Sequence, residues 1–352
     1  MRRPVLVLTI AAVLSARVIL TADDLVLSLF SGYLNALRTQ AAIPGLSATI
    51  VGPTDVTWEQ GYGYQDVDRL QRAVPDTPYE IDGLTELVTA VLVLRCVDEH
   101  GSLTLDDPVG QYAPSSPDAN ATLRQILSHT SPGPNGLVYS YRPERLAALV
   151  PAVSACTGQT LSPSISGLLD RLVMYDSVPG SDVAGQSPPP TGIDPSAIPR
   201  FNGVLGRLAT PYAVDAGGHA TPSQYSATTL TPTSGLISTV RDLAKFDLRV
   251  KDGFALHPES LALAWTPPLD GNGQRLPHGF GWFSQTYNGE RVVWQFGVSD
   301  NASSSMMITV PGRGLTLILL ANSQGLVKPY PLSAGDVTVS PFARLFLGTF
   351  VR

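Results

Sequence analysis

The stretch TPYEIDGLTELVTAVLVLRCVDEHGSLTLDDPV, residues 77–109, decides how this chain is read. Leu84, Leu87, Val88, Val91, Leu92 and Val97 recur at three- and four-residue spacing, which predicts a helix with one buried face. Asp82 is placed to cap its start and Gly101 to stop it. Beyond the stop, Leu103, Leu105 and the turn formers Asp106-Asp107-Pro108 read as an extended piece entering a loop.

Upstream, residues 24–41 carry helical apolar spacing through Leu25, Leu29, Phe30, Tyr33, Leu34 and Leu37, a helix suited to packing on a sheet. LSATIV (46–51) and TWEQGYGY (57–64) then read as two strands of a hairpin turning at Gly52-Pro53-Thr54-Asp55. Downstream, short helices are expected over residues 121–130, 146–157 with a break or kink at Pro151, and 161–174. Residues 179–235 are rich in Pro, Gly, Ser and Thr and read as a long excursion of turns, without a compact unit of its own, of the kind that lines a cleft. Ser238 or Thr239 caps a following helix. Residues 280–283, 291–295, 303–310 and 315–321 supply strands, with Asn288-Gly289 as a hairpin turn, and residues 341–351 close the chain as a helix capped by Ser340.

Several of these blocks resemble the serine β-lactamase-related family, which includes class C β-lactamases, D-alanyl-D-alanine carboxypeptidases and related esterases. PGLSATIV followed by the W-x-x-G-Y-G strand is similar to the family's opening. SHTSPG at 128–133 is similar to its H-T-S-G block, and SGLISTVRDLAKF at 234–246 to its G-L-x-S-T-x-x-D-L-x-x-F block. The resemblance covers nearly the whole chain after its first residues. It implies an α+β, β-lactamase/transpeptidase-like fold: an antiparallel sheet flanked by N- and C-terminal helices, with an inserted mainly helical lobe. Residues 23–78 and 278–352 would form the sheet domain and residues 79–277 the helical, loop-rich lobe.

The same resemblance identifies the chemical positions, and these depart from the pattern together. Where the family carries S-x-x-K, with an acylating serine and a lysine that helps to deprotonate it, this chain has Gly83-Leu84-Thr85-Glu86. The family's motif tyrosine falls on Tyr141, or on Tyr139 if the loop is shorter. The K-T-G or H-x-G strand motif falls on Gln295-Phe296-Gly297, so a glutamine replaces the basic residue and Gly297 is kept. Loss of a nucleophile typically removes about 10⁶ in turnover. Glu86 in place of lysine changes the local charge by two units, so a carboxylate-bearing substrate is expected to be repelled. Taken alone, Gly83 could be a tight helix entry and Glu86 a dipole-stabilising acid of a first helical turn. His129 is expected to be a packed, hydrogen-bonded histidine.

The reading that follows is a catalytically inactive relative, kept as a binding or interaction protein with a small-molecule, peptide or ester ligand between the lobes. The alternative is an active hydrolase of esterase type, with a hydroxyl such as Thr85 or Ser140 as relocated nucleophile or Glu86 as general base. A third reading is a protein-contact role in which the cleft plays no part.

Composition narrows the classes further. With 352 residues, 43% hydrophobic and 15% charged, the chain suits one large or two interleaved globular units. A net charge of -6 and no Lys or Arg run beyond the N-terminus exclude a nucleic-acid face. Arg2 and Arg3 before an apolar run predict a signal peptide or uncleaved anchor over residues 1–22, with cleavage after Ala16 or Ala22, and hence an exported protein. Arg17 interrupts the run before the roughly 20 residues a membrane span needs. The five histidines lack ligand spacing with Cys, Asp or Glu, so neither metal nor cofactor is expected. Cys96 and Cys156 lie in apolar, helix-like segments and read as two buried thiols, with a bridge left open.

Overall fold

The computed structural model describes residues 22–351 except 102 and 186–189; the leader predicted over residues 1–22 therefore lies outside the described residues, save Ala22. Period-two alternation in the strands builds the molecule. In β1 (Gly45–Val51), Leu46, Ala48 and Ile50 face one apolar layer while Val51 reaches the other. The same split runs through β5 (Glu290–Ser299), β6 (Ser303–Val310) and β7 (Leu315–Ala321). Trp294, Met306, Ile308, Leu317 and Leu319 lie on one face, and Val293, Met307, Ile318 and Leu320 on the other. With β2 (Val56–Asp66), β3 (Gln71–Arg72) and β4 (Phe283–Tyr287) these form one antiparallel seven-stranded sheet, in the order β4-β5-β6-β7-β1-β2-β3. Burial on both faces explains why β1 and β6 are apolar or small throughout.

One face is closed by α1 (Ala22–Gln40) and α9 (Pro341–Phe350), where Phe30 and Leu34 pack with Phe342 and Phe346. Ser340 caps α9 by accepting from the Ala343 amide, as the sequence indicates. The other face is closed by α2 (Thr85–His100) and α7 (Val240–Lys251), the latter capped by Thr239. Against the helical packing of the middle segment, α2 is buried on every side, not on one face: Ala90, Val93 and Leu94 are as enclosed as Leu87 and Val91. Around it stand α3 (Leu123–Leu127), α4 (Val150–Thr157), α5 (Leu161–Arg171) and α8 (Pro258–Ala264), while α6 (Ile198–Leu205) packs apart from it.

Four further expectations differ from what is seen. Cys96 of α2 and Cys156 of α4 form a disulfide, so they are not the two buried thiols expected. Helical packing brings them together across 60 residues, which spacing alone could not reveal. Asp82 does not cap α2; it opens a 3₁₀ turn, Asp82–Leu84, with φ +50° and no side-chain cap. Pro151 does not kink a helix, because it sits in the first turn of α4, where its missing N–H costs nothing. The excursion at 179–235 contains α6, whose Phe201 and Val204 join Val178, Val183, Ile193 and Ile237 in a small core of its own. Among the described residues, no helix is long and apolar enough to cross a membrane.

Candidate functional site: the entry of α2 and the adjoining cleft

The turn that leads into α2 is held by its neighbours on the sheet. Ser303 donates to Asp82 Oδ2 at 2.8 Å, and Ser305 donates to the Ile81 carbonyl at 2.6 Å, so alternate serines of β6 fasten the turn. Gly83 then comes against β5. A Cβ placed on Gly83 would lie 2.4 Å from the Phe296 carbonyl oxygen, and one placed on Gly297 would lie 2.4 Å from the Gly83 nitrogen. Two backbones meet here because neither residue carries a side chain. Gly83 is thus more than a tight helix entry: the space that a side chain at this position would need is occupied by main chain.

Behind this contact, Glu86 is fully buried in the interior. His129 Nε2 lies 2.9 Å from Glu86 Oε1, and His129 Nδ1 accepts from the Arg142 amide at 3.1 Å. An acceptor Nδ1 places the imidazole proton on Nε2, which therefore donates to the carboxylate. His278 Nε2 stands 3.5 Å from the same Oε1, while His278 Nδ1 donates to the Gly279 carbonyl at 2.8 Å. Burial, and then His129, hold the His278 imidazolium well below the usual histidine range, so His278 is neutral. Gln295 is equally enclosed; its Nε2 donates to the Gly281 carbonyl at 3.0 Å and its Oε1 accepts from the Phe296 amide.

Glu86, His129 and His278 place three ligand-type atoms within 4.8 Å of one another, a grouping that the sequence spacing of the histidines concealed. The hydrogen-bond pattern argues against a metal there. A His129 ring that accepts at Nδ1 would have to lose its Nε2 proton as well to become a ligand, giving an imidazolate. The expectation for His129 agrees with what is seen: a packed, hydrogen-bonded side chain.

In front of the Gly83 contact lies an open cleft of ≈ 580 Å³. Its lining includes Gly83, Gly297 and Tyr141, but neither Glu86 nor Gln295. Of the two motif tyrosines, Tyr141 is the one at the cleft, its ring 4.6 Å from that of His129; Tyr139 donates instead to the Ser333 carbonyl. Burial, and then the charge of Glu86, hold the Tyr141 phenol neutral, with its pKa well above the ordinary value.

The lining itself adds three further carboxyl groups, Glu80, Asp82 and Asp300, and among the described lining residues there is no Lys, Arg or His. Glu80 is 1% and Asp82 2% exposed. Glu80 Oε1 accepts from the Gly235 amide at 3.1 Å, whereas Oε2 has no hydrogen-bond partner. Burial pushes the Glu80 carboxyl up to about 7, and burial together with the Glu80 charge raises Asp82 well above the carboxylate range. Sequence reasoning passed over Glu80 and His278. Neither has a local signal, and both acquire meaning only when distant segments meet.

Comparison with known proteins agrees with this architecture. A family profile described as Beta-lactamase matches residues 30–334. Over 101 residues the chain is 37% identical to "Protein flp" of Staphylococcus aureus, an alignment covering 27% of this chain and 20% of that protein. The chain thus spans about a fifth of the length of the curated relatives it matches. A penicillin-binding protein homologue from Pyrococcus abyssi superposes with a TM-score of 0.73 at 20% identity, covering 92% of this chain and 77% of the other. A class C β-lactamase from Rhodobacter sphaeroides gives 0.65 at 17% identity, covering 91% and 98%. These two likenesses show the β-lactamase/transpeptidase-like fold, and the profile match over most of the chain fixes the kinship: this protein belongs to the Beta-lactamase family.

Proposed function

We propose that this chain is a non-acylating member of its family that keeps the cleft between its lobes as a reversible ligand site in an exported protein. The observation that carries the reading is the contact of Gly83 with β5. The nucleophile position has no hydroxyl, and a side chain restored there would overlap the Phe296 carbonyl. The position that holds a base elsewhere in the family is here Glu86, sealed behind the cleft and engaged by His129.

The relocated-nucleophile alternative finds little support in the same geometry. Thr85 is fully buried, and Ser140 lies outside the cleft lining. Of the cleft hydroxyls, Ser226 pairs with Ser299 and Ser234 with Thr231, each a hydroxyl partner and not a base. The Cys96–Cys156 disulfide and the Arg-flanked apolar N-terminus favour an oxidising, exported setting.

The test is labelling of the purified protein with a fluorescent penicillin and with a fluorophosphonate, read on a denaturing gel. Unlabelled protein is the expected result. A fluorescent band mapping to a single serine would remove the reading.

A further inference from the structure

The cleft has a chemical preference that its lining states directly. Among its described lining residues are three carboxyl groups and no basic side chain, and one of the three, Glu80, is almost wholly enclosed with an oxygen that has no hydrogen-bond partner. A buried carboxylate oxygen without a donor is costly. Asp300 at the rim is answered by Lys328 at 2.8 Å, and Asp82 receives the Ser303 hydroxyl, so the unmet demand is concentrated at Glu80 Oε2. Tyr141 adds an aromatic side chain to the same cleft, the kind of surface that favours an ammonium group over a hydrated metal ion.

We infer that the Glu80–Asp82 corner is the seat of a ligand's protonated primary amine, so that the cleft selects cationic organic molecules and rejects carboxylates. The inference rests on the cleft being a reversible site and adds its charge class. An ammonium would donate to Glu80 Oε2, for which the protein supplies no donor, and to Asp82, and its positive charge would draw both raised carboxyls into their ionised form. A divalent cation fits less well. The clustering of metal-type donors among the described residues lies at Glu86, His129 and His278, behind the cleft, and not at this corner.

The experiment is calorimetric titration of the full chain with three probes of matched shape: 2-phenylethylamine, 2-phenylethanol and phenylacetate. Calcium chloride alone forms a fourth arm. Expected are saturable binding of the amine, weaker binding of the alcohol and none of phenylacetate or calcium. Glu80→Gln with Asp82→Asn should weaken the amine by at least about tenfold, since two charge-assisted bonds are lost. Both substitutions keep the shape while replacing one acceptor oxygen with an NH2 donor, and Asn suits the positive φ at position 82. The comparison among probes in the unmutated protein stands whether or not the variant folds. Equal binding of amine and alcohol, preference for phenylacetate, no amine binding, or heat from calcium alone would overturn the inference. In each of those cases the non-acylating reading survives, because only a covalent adduct removes that.

Discussion

The two sides of the α2 entry make opposite use of acidic residues. Behind the Gly83 contact, Glu86 is enclosed with His129, His278 and Gln295, and the imidazoles and the amide are each tied to backbone. In front of it, Glu80 and Asp82 are nearly as enclosed but face a cleft, and Glu80 keeps an oxygen unmatched. Three residues lie between the carboxylate absorbed into the structure and Asp82, the nearer of the pair that lines the cleft. The contrast is between a motif-position carboxylate, Glu86, that is built into the interior and a carboxyl pair that lines the cleft with one oxygen, Glu80 Oε2, left without a partner.

The largest effect that could break this contrast is reversion. Gly83→Ser with Glu86→Lys should fail to restore acylation and should cost stability by about 3–5 kcal/mol, because a lysine would be buried beside two imidazoles without a counter-charge. Chemical denaturation of the double variant checks the cost. A folded, acylating variant would mean that the sealed side is still a working site.

Removing the disulfide by Cys96→Ala with Cys156→Ala comes next. It should lower stability by about 2–4 kcal/mol, the range for a bridge closing a long loop, and should leave the cleft's binding unchanged. Loss of binding along with stability would show that the helical lobe, and not the sheet corner, sets the cleft. A smaller change is expected of Glu86→Gln. Replacing the carboxylate that receives His129 should cost about 1–3 kcal/mol in denaturation while amine binding persists. If binding fell with it, the two sides would be one site.

Most of the scaffold was legible because alternation and caps are local. The strands at 303–310 and 315–321, the Asn288-Gly289 turn and the Ser340 and Thr239 caps follow from residues within reach of one another. Helix α6 escaped notice because the Pro- and Gly-rich composition around it masked the Phe201–Val204 spacing. The site was legible only as substitutions at motif positions. Glu86 and His129 are 43 residues apart, His278 is farther still, and no spacing rule joins them. Nor could the sequence reveal that Gly83 and Gly297 are paired by backbone contact, since each glycine has an ordinary local explanation.

The smallest expected effect is a pH dependence. Burial raises the Glu80 carboxyl from about 4.5 to about 7 in the folded protein, so between those values the folded state holds more protons at Glu80 than the unfolded one, and Asp82 is raised in the same direction. The Glu80 contribution to stability is therefore full at low pH and is lost as pH rises through that window. Thermal unfolding followed from pH 5 to pH 8 should show this decline, and Glu80→Gln should flatten it. A profile over the same range that Glu80→Gln leaves unchanged would place this carboxyl in water.

The most direct measurement is intact mass after prolonged incubation with an activated ester and with a β-lactam, followed by peptide mapping. The expected result is an unchanged mass. A stoichiometric adduct on one hydroxyl, removed by replacing that residue, would contradict the claim that this cleft binds without forming a bond.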